Sequence, residues 1–253
     1  MDHSAPARPG DRSASAAQPS PQPSPQPGAQ PGPQPAATSS DHQTTPAAPT
    51  LVLASSSPYR RELLGRLRLA FLVDRPDVDE TALPGEAPAA TAVRLALAKA
   101  RAVAARHPGA LVIGSDQVAC CDGRQIGKPG DHARAVAQLR AMRGREVVYS
   151  TALCLLDGRG GAAGHAHQGP AVQHDVASVR VRFRDLDDAT IEQYLRIEQP
   201  YDVAGSAKCE GLGIALLERI DNDDPSALVG LPLIRLVTML RRVGYPVLGG
   251  PVA

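Results

Sequence analysis

From residue 51 onward, short runs of large aliphatic residues alternate with clusters of small or polar ones. Leu51-Val52-Leu53-Ala54 has no polar alternation and predicts a short buried strand. Ser55-Ser56-Ser57-Pro58 follows, and serine before proline predicts a helix start with Ser57 as N-cap and Pro58 at the first helical position. Leu63, Leu64 and Leu67 give that helix its apolar face. Phe71-Leu72-Val73 reads as a second strand, running into the acidic stretch Asp77-Val78-Asp79-Glu80-Thr81. Residues 88–106, rich in alanine and free of internal glycine, predict a strong helix with Val93, Leu97, Ala100 and Ala104 on one face. Lys99 falls off that face, as a surface lysine or as one aimed at a cleft.

The apolar run Ala110-Leu111-Val112-Ile113 reads as a central strand that stops at Gly114-Ser115-Asp116-Gln117. A carboxylate at the end of a buried strand must be paired, bound to metal or hydrogen-bonded. Asp116 is therefore either a local cap or employed. The short turn through Gly123 returns Ile126-Gly127-Lys128-Pro129 toward the strand end, so a lysine and a carboxylate converge there. That pairing suits metal-assisted phosphate chemistry, in which the carboxylate holds a hard cation or a water and the lysine holds a phosphate. Upstream, the serine-rich turn, the helix N-terminus and Arg60 and Arg61 together form an anion site or an ordinary capped helix.

A helix capped by Asp131 and stopped by Gly144 comes next, then a strand over 146–156 and a glycine-, histidine- and alanine-rich hairpin loop over 157–170. His165 and His167 lie in that loop without partners for a metal site. Val179, Val181 and Phe183 alternate with Arg180, Arg182 and Arg184, predicting a half-exposed strand over 176–183. A helix over 188–195 precedes the irregular, glycine-containing stretch Tyr201 to Gly213, which carries Lys208 and Glu210. A buried strand over 214–220, a turn over 221–224 and a closing helix over 231–243 complete the pattern. Strands and helices in alternation predict one α/β domain over 50–248, with a mixed sheet flanked by helices.

Composition changes this picture at the N-terminus. Of the 24 prolines, 12 lie in the first 50 residues, where no aliphatic side chain larger than alanine occurs apart from Met1. Residues 1–48 therefore read as a disordered Pro/Gln/Ser-rich tail that forms no packed core. No apolar stretch resembles a signal peptide or a membrane span, so a cytoplasmic protein without membrane contact is expected. Cys120, Cys121, Cys154 and Cys209 show no metal-ligand spacing. A net charge of +1 and few aromatic residues argue against a nucleic-acid polymer as partner, whereas a small anionic ligand held by converging cations remains compatible.

Taken together, Leu53 to Leu64, Ser115-Asp116-Gln117 with Gly127-Lys128-Pro129, and Ala204-Gly205 with Val229-Gly230-Leu231-Pro232-Leu233 resemble the Maf-type nucleoside triphosphate pyrophosphatases. The resemblance covers nearly everything after residue 50. It implies a deep nucleotide-binding cleft and cleavage of a nucleoside triphosphate to the monophosphate and pyrophosphate, with a divalent cation, Mg²⁺ or Mn²⁺, as cofactor. Gln117 and Glu210 are similar to the subgroup acting on 7-methyl-GTP, where Tyr59 replaces the usual tryptophan. The sister subgroup acting on dTTP and UTP has arginine, threonine and glutamine at these positions. A 7-methylated guanine is cationic, so an aromatic face stacks on it and a carboxylate pairs with its donor edge.

The roles implied are Asp116 as general base or as the metal ligand delivering water, with Glu80 as second metal ligand. Ser55, Arg60 or Arg61, Lys99, Lys128 and Lys208 are then expected on triphosphate oxygens, and Tyr59, Gln117 and Glu210 on the base. Action on dTTP or UTP and nucleotide-dependent regulation of cell division are the alternatives; a homodimer is left open.

Overall fold

The computed structural model describes residues 48–160 and 172–248. The chain divides into two units, Met1–Thr45 and Pro46–Ala253, and the described residues all belong to the second. The expected tail lies outside the described residues except for Ala48, which packs against the core. His165 and His167 also lie outside them.

Among the described residues, seven strands form one mixed sheet. β1 (Leu51–Ala54) lies between β2 (Leu72–Asp74) and β3 (Leu111–Cys121), parallel to both. β5 (Glu146–Asp157), β6 (Val172–Phe183) and β7 (Leu217–Asp221) continue antiparallel beyond β3, and β4 (Arg124–Ile126) pairs with the far end of β3. The aliphatic runs lack polar alternation because both faces of the sheet are covered. Leu51 and Leu53 join Leu111, Ile113, Leu153 and Leu155 under α1 (Pro58–Gly65) and α5 (Leu233–Arg242). Val52 and Ala54 join Val112, Ala152 and Cys154 under α2 (Pro88–Ala104) on the other face. α3 (His132–Met142) and α4 (Asp188–Glu198) cover the end of the sheet built from Val147, Tyr149, Val179, Val181 and Phe183.

The caps form as read: Ser57 Oγ accepts from the Arg60 amide, and Asp131 Oδ1 from the Arg134 amide at 2.8 Å. Val179, Val181 and Phe183 are buried, and the arginines between them face solvent. β6 begins at Val172, four residues before the expected 176, and α4 runs on to Glu198; two further differences bear on the site. The strand expected over 214–220 is a 3-10 turn, Leu212–Leu216, followed by β7; with Gly211 and Gly213 turning the backbone, Ile214 is left 53% exposed. More consequentially, β3 continues to Cys121, so Asp116 stands in mid-strand rather than at a strand end.

The reason is the sheet's own topology. β1 pairs with β3 only as far as Gly114, and β4 takes up that flank only from Ala119. Between them Ser115 to Val118 has β5 on one side and, among the described residues, no strand on the other. The sheet opens there, and polar residues are tolerated within a strand because a cleft lies beside them.

The packing of α2 sets what reaches into that opening. A Cβ on Gly114 would lie 2.2 Å from the Ala96 carbonyl oxygen and 2.9 Å from the Ala100 nitrogen, so α2 rests directly on the β3 backbone. Gly114→Ala is therefore expected to cost roughly 1–3 kcal/mol, as overpacking of a filled core does. In a domain of this size that lowers the melting temperature by several degrees, a thermal unfolding curve being the check; an unchanged midpoint would show that α2 can withdraw freely.

Candidate active site

The cleft beside Ser115–Val118 measures about 740 Å³, within the range of ligand pockets. Its walls come from the β1–α1 turn, the Arg75–Ala82 loop, α2, β3, the loop after β4, the Asp202–Glu210 segment and Leu228–Gly230. Every residue expected on substrate or metal except Arg61 stands in this cleft or at its edge.

One end is charged. Lys99, expected off the buried face of α2, is on it and 4% exposed. Its Nζ lies 2.7 Å from Asp116 Oδ1 and 2.6 Å from Glu80 Oε1, which is how a buried ammonium is accommodated. The close approach of Ala96 and Ala100 to Gly114 delivers it there. Burial pushes the Asp116 carboxyl above its ordinary range, and Lys99 and Arg60 offset this only in part. For Glu80 burial acts in the same direction, but Lys99, Lys128 and Arg60 outweigh it and hold the carboxyl below its ordinary value.

Arg60 completes this end. Its Nε donates to the Gly230 carbonyl at 2.8 Å, and desolvation lowers its pKa against the pull of Asp116 and Glu80. Ser115 Oγ reaches the same carbonyl at 3.0 Å. Ser55 is buried at the α1 turn, accepts from the Ser57 amide at 3.1 Å and lines the cleft with the exposed Lys128. Arg61 does not join them. It points from the next position on α1 into a separate depression with Glu62, Phe71 and Val73, because adjacent helical side chains diverge by about 100°.

The other end is aromatic and acidic. Tyr59, half-buried, has its phenol pKa raised by burial and by Asp202, Glu210 and Glu198, while Lys208 opposes them. Lys208 was expected among the phosphate cations, but Glu198 Oε1 holds it at 3.0 Å and its Nζ sits 6.0 Å from the Tyr59 ring centroid. It flanks the aromatic end instead. Gln117 lines the cleft, but its Nε2 faces Thr151 Oγ1, Ala227 O and Leu228 O at 2.8, 3.1 and 3.0 Å. Thr151 donates its own hydroxyl to Ala227 O at 2.9 Å, so it can only accept from Gln117. The amide nitrogen is thereby committed to the Ala227–Leu228 loop, and the carbonyl oxygen is the end left for a ligand.

Sequence reasoning missed the device that presents Gly230. Asp224, 1% exposed, accepts from Ser226 Oγ at 2.6 Å and from the Ile234 amide at 2.9 Å, while Ser226 Oγ accepts from the Leu233 amide at 2.8 Å. The N-terminus of α5 is thus capped from well upstream, and the intervening loop is pinned against Gln117, Ser115 and Arg60. No local capping signal announces it, since Pro232 occupies the cap position. Asp202 at the aromatic end was likewise missed.

Among the described residues no three His, Cys, Asp or Glu side chains are arranged to hold a metal ion. Glu80 and Asp116 form a pair of hard oxygen donors converging on one positive charge. Such a pair fits Mg²⁺ or Mn²⁺, which bind through one or two carboxylates and complete their shell with substrate phosphates and water. No helix among the described residues is long and apolar enough to cross a membrane.

Among known proteins, the family of Maf-like proteins matches residues 50–243. A 7-methyl-GTP pyrophosphatase of Cupriavidus pinatubonensis is 62% identical over 205 residues, 80% of this chain and 98% of that one. A 7-methyl-GTP pyrophosphatase of Burkholderia pseudomallei is 64% identical over 206 residues, 80% of this chain and 92% of its own. Among solved structures, a dITP/XTP pyrophosphatase from Mycobacterium abscessus is a loose likeness, with 17% identity and a TM-score of 0.33 over 54% of this chain and 75% of that one.

Proposed function

The chain belongs to the family of Maf-like proteins, and on that premise we propose that its cleft hydrolyses 7-methyl-GTP to 7-methyl-GMP and pyrophosphate. The observation that carries the reading is the division of one cleft into two ends. Arg60, Lys99 and Lys128 gather with two carboxylates at one, and Tyr59 stands among Asp202, Glu198 and Glu210 at the other. The first suits a triphosphate and a divalent cation. The second suits a cationic base, because an aromatic face and surrounding carboxylates stabilise a positive ring. The high identity to relatives named for this substrate supports the same choice.

Adjacent residues of α1 address the two ends: Tyr59 stacks on the base and Arg60, fixed by the Gly230 carbonyl, reaches the triphosphate. Ser55 and the α1 amides bind a phosphate oxygen at the helix N-terminus. Lys128 and Lys99 neutralise the polyphosphate, with Lys99 turning from the carboxylates toward phosphate as substrate arrives. Glu80 and Asp116 hold the divalent cation, which supplies charge neutralisation when bound. Ionised Asp116 orients the attacking water and accepts its proton. Water adds at the α-phosphorus, the bond from that phosphorus to the bridging oxygen breaks, and pyrophosphate departs with the bonding electrons. Positioning and electrostatics carry most of such a transfer. Glu210 accepts hydrogen bonds from the N–H edge of the base.

A panel of 7-methyl-GTP, GTP, UTP and dTTP with Mg²⁺ or Mn²⁺, scored by pyrophosphate release, tests the reading. The highest kcat/KM is expected for 7-methyl-GTP, and chelation of the cation is expected to abolish release until metal is restored. Preference for UTP or dTTP would overturn the substrate assignment, and undiminished release in chelator would overturn the cofactor.

A further inference from the structure

One buried polar group in the wall of the cleft is left without a role by this mechanism. Tyr149, on β5, is 2% exposed, and its ring lines the cleft beside Ala204, Ala207 and Cys209. Its hydroxyl is buried and has no hydrogen-bond partner among the described residues. A phenol that only packed would gain by lacking its oxygen, since an unpaired buried hydroxyl costs stability. Neighbouring Tyr194 shows the ordinary solution: its hydroxyl accepts from the Lys208 amide at 3.0 Å.

The position of Tyr149 relates it to the aromatic end. Across the β3–β5 ladder Thr151 stands opposite Gln117 and Tyr149 opposite Ala119, so Gln117, Thr151 and Tyr149 project from the same face of the sheet. Above the hydroxyl runs the Ala204–Ser206 turn, which leads to Glu210. Gly205 has φ +76°, and a Cβ there would stand 2.7 Å from Tyr149 Oη, so the bare backbone of the turn rests on the hydroxyl. The turn is tied to the loop after β4 by a long contact, from the Gly205 amide to Gly127 O at 3.4 Å, and is anchored to α3 at its end, where Ser206 Oγ donates to Gln138 Oε1 at 2.7 Å.

Guanine carries a carbonyl oxygen directly beside its ring N–H. If Glu210 takes the N–H groups, the oxygen requires a donor. Gln117 cannot supply one, because its amide nitrogen and the Thr151 hydroxyl are already committed to the Ala227–Leu228 loop. Lys208 keeps N–H donors beside its bond to Glu198, but its own positive charge would repel the cationic 7-methylated ring. We infer that Tyr149 is a specificity-determining residue whose hydroxyl donates to the carbonyl oxygen of the bound purine once the Gly205 backbone shifts off it. This rests on the assignment of the Tyr59–Glu210 end to the base. The phenol stays protonated for this task, since burial pushes its pKa far above the ordinary value.

Tyr149→Phe removes one oxygen and keeps the ring in place. The full-length variant is expected to melt at the same temperature as the parent or higher. Its KM for 7-methyl-GTP should rise about tenfold, with kcat within about twofold. With the 7-methylated 2-aminopurine nucleoside triphosphate, which lacks the 6-oxygen, parent and variant should have equal KM. A merely structural hydroxyl would lower the melting temperature and affect both nucleotides alike, and either result overturns the inference. So does an unchanged KM for 7-methyl-GTP. Failure of the parent protein itself to release pyrophosphate from 7-methyl-GTP would instead remove the substrate reading and this inference with it.

Discussion

Asp116→Asn is expected to reduce pyrophosphate release about 10²- to 10⁴-fold, the usual contribution of a positioned acid–base group, while the protein stays folded. Asparagine keeps the size of the side chain and can accept a hydrogen bond from Lys99 Nζ, but it neither takes a proton from water nor carries charge to a cation. Replacing one member of a buried ion pair normally destabilises strongly, because the other charge is stranded. Here Lys99 retains Glu80 Oε1 at 2.6 Å, so the ammonium keeps a partner and the melting temperature is expected to shift by only a few degrees. Activity and unfolding must be measured on the same preparation. Near-parental release would remove Asp116 from the reaction, whereas loss of the folded state would show that its charge serves the core.

Glu210→Gln is the second large effect, and it should be selective. Glu210 is exposed at the aromatic end, so its loss leaves the fold unaffected. A hydrogen bond to a charged group contributes roughly 1.5–3 kcal/mol, and kcat/KM for 7-methyl-GTP is expected to drop about ten- to a hundredfold. The lower half of that range is favoured, because Asp202 and Glu198 remain around Tyr59 and continue to attract a cationic ring. UTP and dTTP, which present no positive ring, should lose much less. Tyr59→Trp in the same assay should favour 7-methyl-GTP further, since a larger aromatic face stacks better on a cation. Equal losses on 7-methyl-GTP, GTP, UTP and dTTP after Glu210→Gln would assign Glu210 to metal or fold instead of the base.

Local signals were legible in the chain wherever the cause is local. Ser57-Pro58 and Asp131 start helices because the capping oxygen and the amides it satisfies lie within three residues. The unbroken aliphatic runs of β1 and β3 declare strands covered on both faces, and the alternation along β6 declares one covered on a single face. Asp116 was marked as a candidate because a carboxylate beside a buried run demands a partner, and the short turn that returns Lys128 toward it favoured a role over a local cap.

What the tertiary structure decided is which of several equivalent residues faces which surface. Arg60 and Arg61 are chemically identical; helix geometry lets one of them face the cleft, and the Gly230 carbonyl, 170 residues away, holds Arg60 there. Lys99 read as either a surface lysine or one aimed at a cleft, because helical periodicity counts apolar neighbours and takes no account of Glu80 and Asp116, which meet its ammonium from other elements. Lys208 looked like a phosphate ligand until Glu198, on another element, held it beside Tyr59. Asp116 stands in mid-strand because β1 ends its pairing at Gly114 before β4 begins at Ala119. Partners distant in sequence leave no periodic or neighbouring trace, so the sequence names candidate groups and the packing of the sheet chooses which of them share the cleft.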